Sequence, residues 1–218
     1  MKHAIEAIGV PHTEVELILA NGESVDFSYV VQEGDRISVY PVFESLDVTP
    51  VLRVRPEPLR RTRFIADAQL GGLARYLRML GFDTLYENDY TDAQVARISA
   101  DEQRIVLTRD RALLMHKRIT HGFYVRATRP RQQLEEIVSR LDLYRAIKPF
   151  SRCMRCNRQL EPVAKEAIGD RLPLGSASFY CRFWTCHKCE RIYWEGSHWR
   201  RMEQVIGGLV KRSNARSR

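Results

Sequence analysis

The sequence predicts an α/β protein built on a parallel sheet with helices on both faces. Short apolar runs at 63–67, 83–86, 104–108 and 122–126 alternate with helical patterns at 69–80, 93–103, 111–117 and 131–143. Two of the runs reach a carboxylate just before the next helix: Phe64-Ile65-Ala66-Asp67 and Ile105-Val106-Leu107-Thr108-Arg109-Asp110. The connections are short, and with right-handed crossovers that leaves few other topologies. The composition, 44% hydrophobic and 28% charged, is that of a soluble globular protein. No apolar run approaches the ~18 residues needed to cross a bilayer. The start, Met1-Lys2-His3-Ala4-Ile5-Glu6, lacks a signal-peptide core, so the expected location is cytoplasmic and a membrane partner is not expected.

Charge divides the chain. Residues 1–50 carry two basic and nine acidic side chains, a balance of −7, whereas residues 51–218 carry 33 basic and 18 acidic ones, a balance of +15. The split suggests separate domains, with the second facing a polyanion such as nucleic acid. A solvated basic surface is the plainer alternative.

In chain order, His3–Gly9 reads as the end of a short helix. Glu14–Ala20 and Ser24–Phe27 read as strands joined at Asn21-Gly22, a strong hairpin signal. Gly34-Asp35 marks another turn before a strand at Arg36–Tyr40. This order, with Gly9-Val10-Pro11-His12-Thr13-Glu14, Asn21-Gly22 and Gly34-Asp35-Arg36-Ile37-Ser38-Val39-Tyr40 at these spacings, resembles the ubiquitin-like β-grasp fold of the ThiS/MoaD type over residues 1–44. The first hairpin of that fold would precede residue 1, so a partial β-grasp is expected. The Gly-Gly tail that carries sulfur in those proteins is absent after Pro41, which leaves a docking role for a protein partner. Residues 45–61 hold prolines and arginines and read as a linker.

The domain at 62–148 then begins. Leu70, Leu73, Ala74, Leu77 and Leu80 recur at helical spacing, closed by Gly81 as a C′ residue. Leu134, Ile137, Val138 and Leu141 give the last helix its core face. From 149 to 210 the texture changes. Cys153-Met154-Arg155-Cys156 and Cys186-His187-Lys188-Cys189 flank 29 residues, and a closing helix near 198–210 presents Met202, Val205, Ile206 and Leu209. Residues 211–218 read as a disordered basic tail.

Two Cys-x-x-Cys pairs in a cytoplasmic chain argue for metal rather than disulfides. Cys153, Cys156, Cys186 and Cys189 would close a tetrahedral shell around Zn2+, so the ion would be structural. Cys181 is expected to be a buried thiol, and His187 is an alternative fourth ligand.

The carboxylates suggest chemistry. Asp67 and Asp110 would lie at the ends of neighbouring parallel strands, where open α/β sheets bind ligands. Glu87, Asp89 and Asp92 follow on the same rim. Each aspartate could instead cap a helix, Asp92 above all. Oxygen ligands gathered at one rim suit Mg2+ or Mn2+, which can promote in-line attack on a phosphodiester. Thr108 could orient Asp110. Arg75, Arg78, Arg109, Arg111 and Arg126 are candidates for holding a phosphate backbone.

Phe64-Ile65-Ala66-Asp67, Leu70-Gly71-Gly72-Leu73-Ala74-Arg75-Tyr76-Leu77-Arg78-Met79-Leu80-Gly81-Phe82-Asp83 and Leu107-Thr108-Arg109-Asp110-Arg111 resemble the PIN-fold RNase family named after the C-terminal region of the Mut-seven exonuclease (Mut7-C). So do Cys153-Met154-Arg155-Cys156-Asn157 and Cys186-His187-Lys188-Cys189 with Tyr193-Trp194-Glu195-Gly196-Ser197-His198-Trp199. The resemblance covers about residues 62–203. It implies a PIN-like domain with an appended zinc ribbon, metal-dependent cleavage of RNA, and acids at Asp67, Asp92 and Asp110. A fourth acid of the usual PIN site has no candidate here. His198 is a candidate RNA contact or the start of the last helix. The expected function is a single-strand-preferring, Mg2+- or Mn2+-dependent ribonuclease. The alternatives are an RNA-binding or adaptor protein without catalysis and, less well supported, a toxin RNase.

Overall fold

The computed structural model describes residues 1–41, 49–54, 62–172 and 179–216, with the side chains of Thr49, Asp170, His198 and residues 210–216 outside the description. Most of the expected linker therefore lies outside the described residues. Three sheets follow one another along the chain.

The first module is a helix, α1 (Lys2–Ala7), followed by the antiparallel strands β1 (Val15–Ala20), β2 (Glu23–Val25) and β3 (Ile37–Pro41) in the order β2-β1-β3. Ala20 pairs with Glu23, which leaves Asn21-Gly22 as a two-residue loop. Both loop residues have positive φ, 53° and 90°, the type I′ geometry that matches strand twist. Ile5, Val15 and Ile18 are buried together, and Val54 from the expected linker packs on them.

The central sheet is parallel: β4 (Arg63–Ala66), β5 (Asp83–Leu85), β6 (Ile105–Thr108) and β7 (Gly122–Tyr124), in the order β5-β4-β6-β7. Side chains alternate faces, as the two-residue period requires. Phe64, Ala66, Ile105, Leu107 and Phe123 join the core under α2 (Gly71–Met79) and α5 (Pro130–Arg140). Ile65 and Val106 join a second core, with Val95 and Ala96 of α3 (Asp92–Asp101) and Leu113 and Leu114 of α4 (Arg111–Leu114). Both faces are covered, so near-continuous apolar strands were needed. Truncating one of these buried leucines, such as Leu77, to alanine costs ~2–5 kcal/mol.

The helix expected at 69–80 is split: a 3-10 turn at Ala68–Leu70 precedes α2. It ends as expected at Gly81 (φ 95°), with Phe82 N–H donating to Leu77 O and Gly81 N–H to Arg78 O, the paired bonds of a Schellman motif. The helix expected at 111–117 is one turn only. Asp92 does not cap α3. Thr91 does, in a capping box with Gln94.

The third sheet is antiparallel, β8 (Glu161–Val163), β9 (Phe183–Thr185) and β10 (Ile192–Trp194), in the order β10-β9-β8. The closing helix, α6 (Ser197–Arg216), runs on through most of the tail expected to be disordered. It returns to the central core with Trp199, Met202 and Leu209. Trp199 is stacked between Phe150 (centroids 3.5 Å apart) and Trp184 (5.0 Å). No helix among the described residues is long and apolar enough to cross a membrane.

At each edge of the central sheet a side chain from a flanking module takes up a strand N–H, and at the β5 edge Arg78 of α2 takes up the carbonyl. At the β5 edge, Asn157 Oδ1 accepts from Thr84 N–H at 3.0 Å, and Arg78 Nε donates to Thr84 O at 2.8 Å. At the β7 edge, Glu14 Oε1 accepts from Tyr124 N–H at 2.7 Å. An open strand edge invites pairing with other chains, and these contacts blunt it.

Candidate active site

Chain order and strand order together mark a candidate site. β4 leads to β5 on one side, whereas β6, reached by a crossover, leads to β7 on the other. The direction therefore reverses between β4 and β6, and ligands bind at the carboxyl ends of strands at such a switch point. Asp67 follows β4, and Asp110 follows β6.

Thr108, fully buried at the end of β6, links the two aspartates. Its Oγ1 donates to Asp67 Oδ2 at 2.8 Å and accepts from the Asp110 N–H at 2.9 Å. Asp67 Oδ1 accepts from Ala68 N–H at 2.6 Å, and Asp110 Oδ1 accepts from Ala112 N–H at 2.7 Å. Each aspartate thus caps the turn that follows it, while Thr108 ties the two together. Among the described residues, Asp110 Oδ2 has no hydrogen-bond donor or ion-pair partner. Asp67 is 7% exposed, which fixes its carboxylate against the sheet end.

Asp92, the first residue of α3, is exposed. It lies at the same end of the sheet, but no three carboxylates among the described residues bring ligand atoms within 4.8 Å of one another. Glu87 and Asp89 are also exposed. At the end of β7, where a fourth acid was lacking, a carboxylate does arrive from α5. Glu136 accepts from the N–H groups of Arg126 (3.1 Å) and Ala127 (2.9 Å), so it acts as a loop brace. Its position four residues before Arg140 on a helix gave no sign of that.

The arginines separate. Arg78 is 5% exposed, and carbonyls of Thr84, Met154 and Arg155 accept from its guanidinium. It holds α2, β5 and the first cysteine knuckle together rather than facing solvent. Arg75 and Arg126 are exposed. Arg111 lies over the Tyr124 ring, 5.1 Å from its centroid. Arg109 is half-buried, with a buried Nε that meets no acceptor. The His198 side chain lies outside the described residues.

The cysteines converge. The sulfurs of Cys153, Cys156, Cys186 and Cys189 all lie within 4.8 Å of one another, a set that could hold a structural metal such as zinc. The knuckles are built alike. In each, the first cysteine N–H donates to the carbonyl five residues on (Arg158 or Arg191), and the residue after the second cysteine, Asn157 (φ 66°) or Glu190 (φ 56°), turns left-handed. Burial alone would raise the Cys153 thiol. Hydrogen bonds from the Tyr193 hydroxyl and nearby backbone N–H groups hold it down at about 6, while burial pushes the Cys156 thiol up to about 12. Cys181 is exposed, contrary to expectation, because it precedes β9 on the surface of the ribbon. His187 pairs with Glu161 at 2.8 Å and stands outside the cysteine set.

Residues 62–206 match the Mut7-C RNase domain, and residues 1–47 match the Mut7-C ubiquitin domain. The chain belongs to the Mut7-C RNase family. No curated protein and no solved structure matches it. The Mut7-C assignment fits the parallel sheet, the four-cysteine cluster and the ubiquitin-like module described above, and it gives ribonuclease as the class of activity and RNA as the class of substrate.

Proposed function

We propose that the protein is a divalent-metal-dependent ribonuclease whose site is the rim formed by Asp67, Thr108 and Asp110. The observation that carries this reading is the Thr108 hydroxyl, bonded to Asp67 Oδ2 and to the Asp110 N–H across the switch point. It ties the Asp67 carboxylate, at the end of β4, to the backbone of Asp110, at the end of β6, while Ala112 N–H orients the Asp110 carboxylate. The donor set fits Mg2+ or Mn2+. Hard carboxylate oxygens with free lone pairs, one of them unpartnered, suit an ion that keeps several waters and is bound by one or two carboxylates plus phosphate oxygens. When bound, such an ion supplies the Lewis acidity for attack of water on a phosphodiester.

The chain's own residues do the positioning. Asp67 and Asp110 supply the negative oxygens, and Thr108 keeps Asp67 Oδ2 from rotating away. Asp92, on the same end of the sheet, is the third acid of the proposed site. Arg109, Arg111 and Arg126 flank the rim on the β6–β7 side and are suited to the RNA backbone. The paired cysteine knuckles hold Zn2+ in a structural role, and the ubiquitin-like module offers a protein-docking surface. Purified protein is expected to cleave RNA when Mn2+ is supplied, and Asp110→Asn to lose that cleavage. Equal cleavage by the variant would place the activity elsewhere.

The second reading is a catalytically weak RNA-binding or adaptor protein. It is favoured by one observation, that only two of the acids are bridged by hydrogen bonds. It expects salt-sensitive RNA binding without divalent-dependent turnover.

A further inference from the structure

Beside the rim lies a cleft of about 860 Å3 between α2, the zinc-ribbon sheet and the start of α6. That volume is in the range of ligand sites, ~300–1,000 Å3. Its wall is unusual in chemistry. Arg75, Arg155 and Arg191 line it, all three exposed, and no described residue accepts from their guanidinium groups. Tyr86, Tyr180 and Trp194 line it as well, each half-buried. No carboxylate is among the described residues that line it.

The cleft reaches to within one residue of Asp67. Tyr86 hydroxyl donates to the carbonyl of Ala68, the residue next to Asp67, at 3.1 Å. Two glycines let its rings sit close: a Cβ on Gly71 would lie 2.6 Å from the Tyr86 hydroxyl, and one on Gly196 would lie 2.8 Å from Trp194 Nε1. The ribbon wall is fixed relative to α2 by Arg78, which donates to the carbonyls of Met154 and Arg155.

We infer that this cleft holds a single strand of RNA and feeds it to the Asp67–Asp110 rim. Bases would stack on Tyr180 and Trp194, and phosphates would pair with Arg75, Arg155 and Arg191. Cationic groups interleaved with aromatic faces are the general chemistry of single-strand binding, because every base has a face to stack. An A-form duplex hides its base faces and is read by groove shape and backbone, so the aromatic wall selects against it. An acidic peptide would satisfy the arginines but leave the rings without a matching partner. The inference rests on the ribonuclease reading for the identity of the strand, but not for the binding itself.

The test uses full-length protein in two readouts. Fluorescence anisotropy with a labelled single-stranded RNA is measured on an Asp110→Asn background, so that binding is read without cleavage. Cleavage is measured separately in otherwise unaltered protein. The triple variant Arg75→Glu/Arg155→Glu/Arg191→Glu is expected to bind about 30-fold more weakly, with a salt dependence shallower by about two in log–log slope, from ~0.7 for each phosphate no longer neutralised. A control triple, Arg36→Glu/Arg97→Glu/Arg118→Glu, changes the same charge on exposed arginines outside the cleft lining and is expected to shift affinity less than about threefold. Ultraviolet cross-linking is expected to attach RNA at Tyr180 or Trp194. Retained zinc and an unchanged melting temperature establish that the cleft variant is folded. Should it lose its fold, the single variant Arg155→Glu, at an exposed side chain, is read instead and is expected to weaken binding about threefold or more. Binding lost in the cleft triple while the unaltered protein fails to cleave would uphold the cleft and sink the nuclease reading. Cleavage with unchanged affinity and KM in the folded cleft variant would overturn the cleft. So would a duplex bound as tightly as the single strand, equal weakening by the control triple, or no RNA binding at all.

Discussion

Thr108 Oγ1 donates to Asp67 Oδ2 at 2.8 Å, a bond that crosses from the end of β6 to the end of β4. The hydroxyl is fully buried and also accepts from the Asp110 N–H. Replacing it by valine keeps the shape and leaves a buried donor and a carboxylate oxygen unpaired, at a cost of ~1–3 kcal/mol. Thr108→Val is expected to lower the melting temperature and to reduce RNA cleavage by about tenfold or more. Thr108→Ser, which restores the hydroxyl, is expected to recover most of both. Thermal melts and single-turnover rates on the pair distinguish positioning from bulk stability. A serine variant no better than valine would speak against the hydroxyl.

Asp83 gives the fold a specific acid sensitivity. Burial would raise its carboxyl, but the Arg104, Asn157 and Arg152 side chains outweigh that and hold it below the usual range. A carboxylate whose folded value is depressed contributes stability that is complete above its unfolded value, ~3.9, and lost as pH falls through the folded one. Asp83→Asn is therefore expected to cost ~1–3 kcal/mol at neutral pH, since Arg104, only 5% exposed, loses one of its two carboxylates and keeps the more exposed Glu102. It is also expected to flatten the stability profile below about pH 4. Denaturant titrations between pH 3 and 7 measure both. A variant with the wild-type acid slope would show that Asp83 is not the group responsible.

Chelation should act on the ribbon first. The four cysteine sulfurs lie within 4.8 Å of one another, a set that could hold a metal, and the binding energy of an ion held there would be folding energy. One zinc per chain is expected by metal analysis. Its removal is expected to abolish the near-ultraviolet signal of the Trp184–Trp199 stack. Cys186→Ser should behave like the chelated protein. An unchanged aromatic signal after complete zinc loss would mean that the ribbon folds without metal.

Glu14 is the joint between the ubiquitin-like module and the sheet. It accepts from Tyr124 N–H and pairs with Arg140 at 2.9 Å, while His12 Nε2 contacts Ile119 O at 3.1 Å. Truncation of one partner in a nearly buried ion pair is costly, so Glu14→Ala is expected to destabilise by ~3 kcal/mol. A double-mutant cycle with Arg140→Met is expected to give a coupling of ~0.5–3 kcal/mol. Hydrogen exchange at Tyr124 should rise in the Glu14 variant. Additive effects with unaltered exchange would indicate a loosely attached module.

Much of this was legible from residue order. Three apolar residues ending in Asp67, and a second such junction at Thr108–Asp110, located both central strands, while the switch point between them follows from the strand order. Asn21-Gly22 and Gly81 fixed a turn and a helix end because their backbone conformations demand those residue types. The Thr91-x-x-Gln94 capping box was also written in the sequence and outranks Asp92 as the cap, since it satisfies two orphan N–H groups at once. What could not be read was long-range. Arg78 looks like any surface arginine on a helix until Thr84, Met154 and Arg155 are brought around it. Asn157 signals its left-handed turn but not that its amide reaches the β5 edge. The grouping of Arg75 with Arg155 and Arg191 joins residues far apart in the chain and follows only from how the ribbon returns to α2.

The most direct test of the proposed site is calorimetric titration of Mn2+ into zinc-loaded protein and into its Asp67→Asn and Asp110→Asn variants. The proposal predicts binding in the unaltered protein and a loss of at least about tenfold in affinity in each variant, because both carboxylates serve one ion. Equal Mn2+ affinity in all three proteins would contradict it.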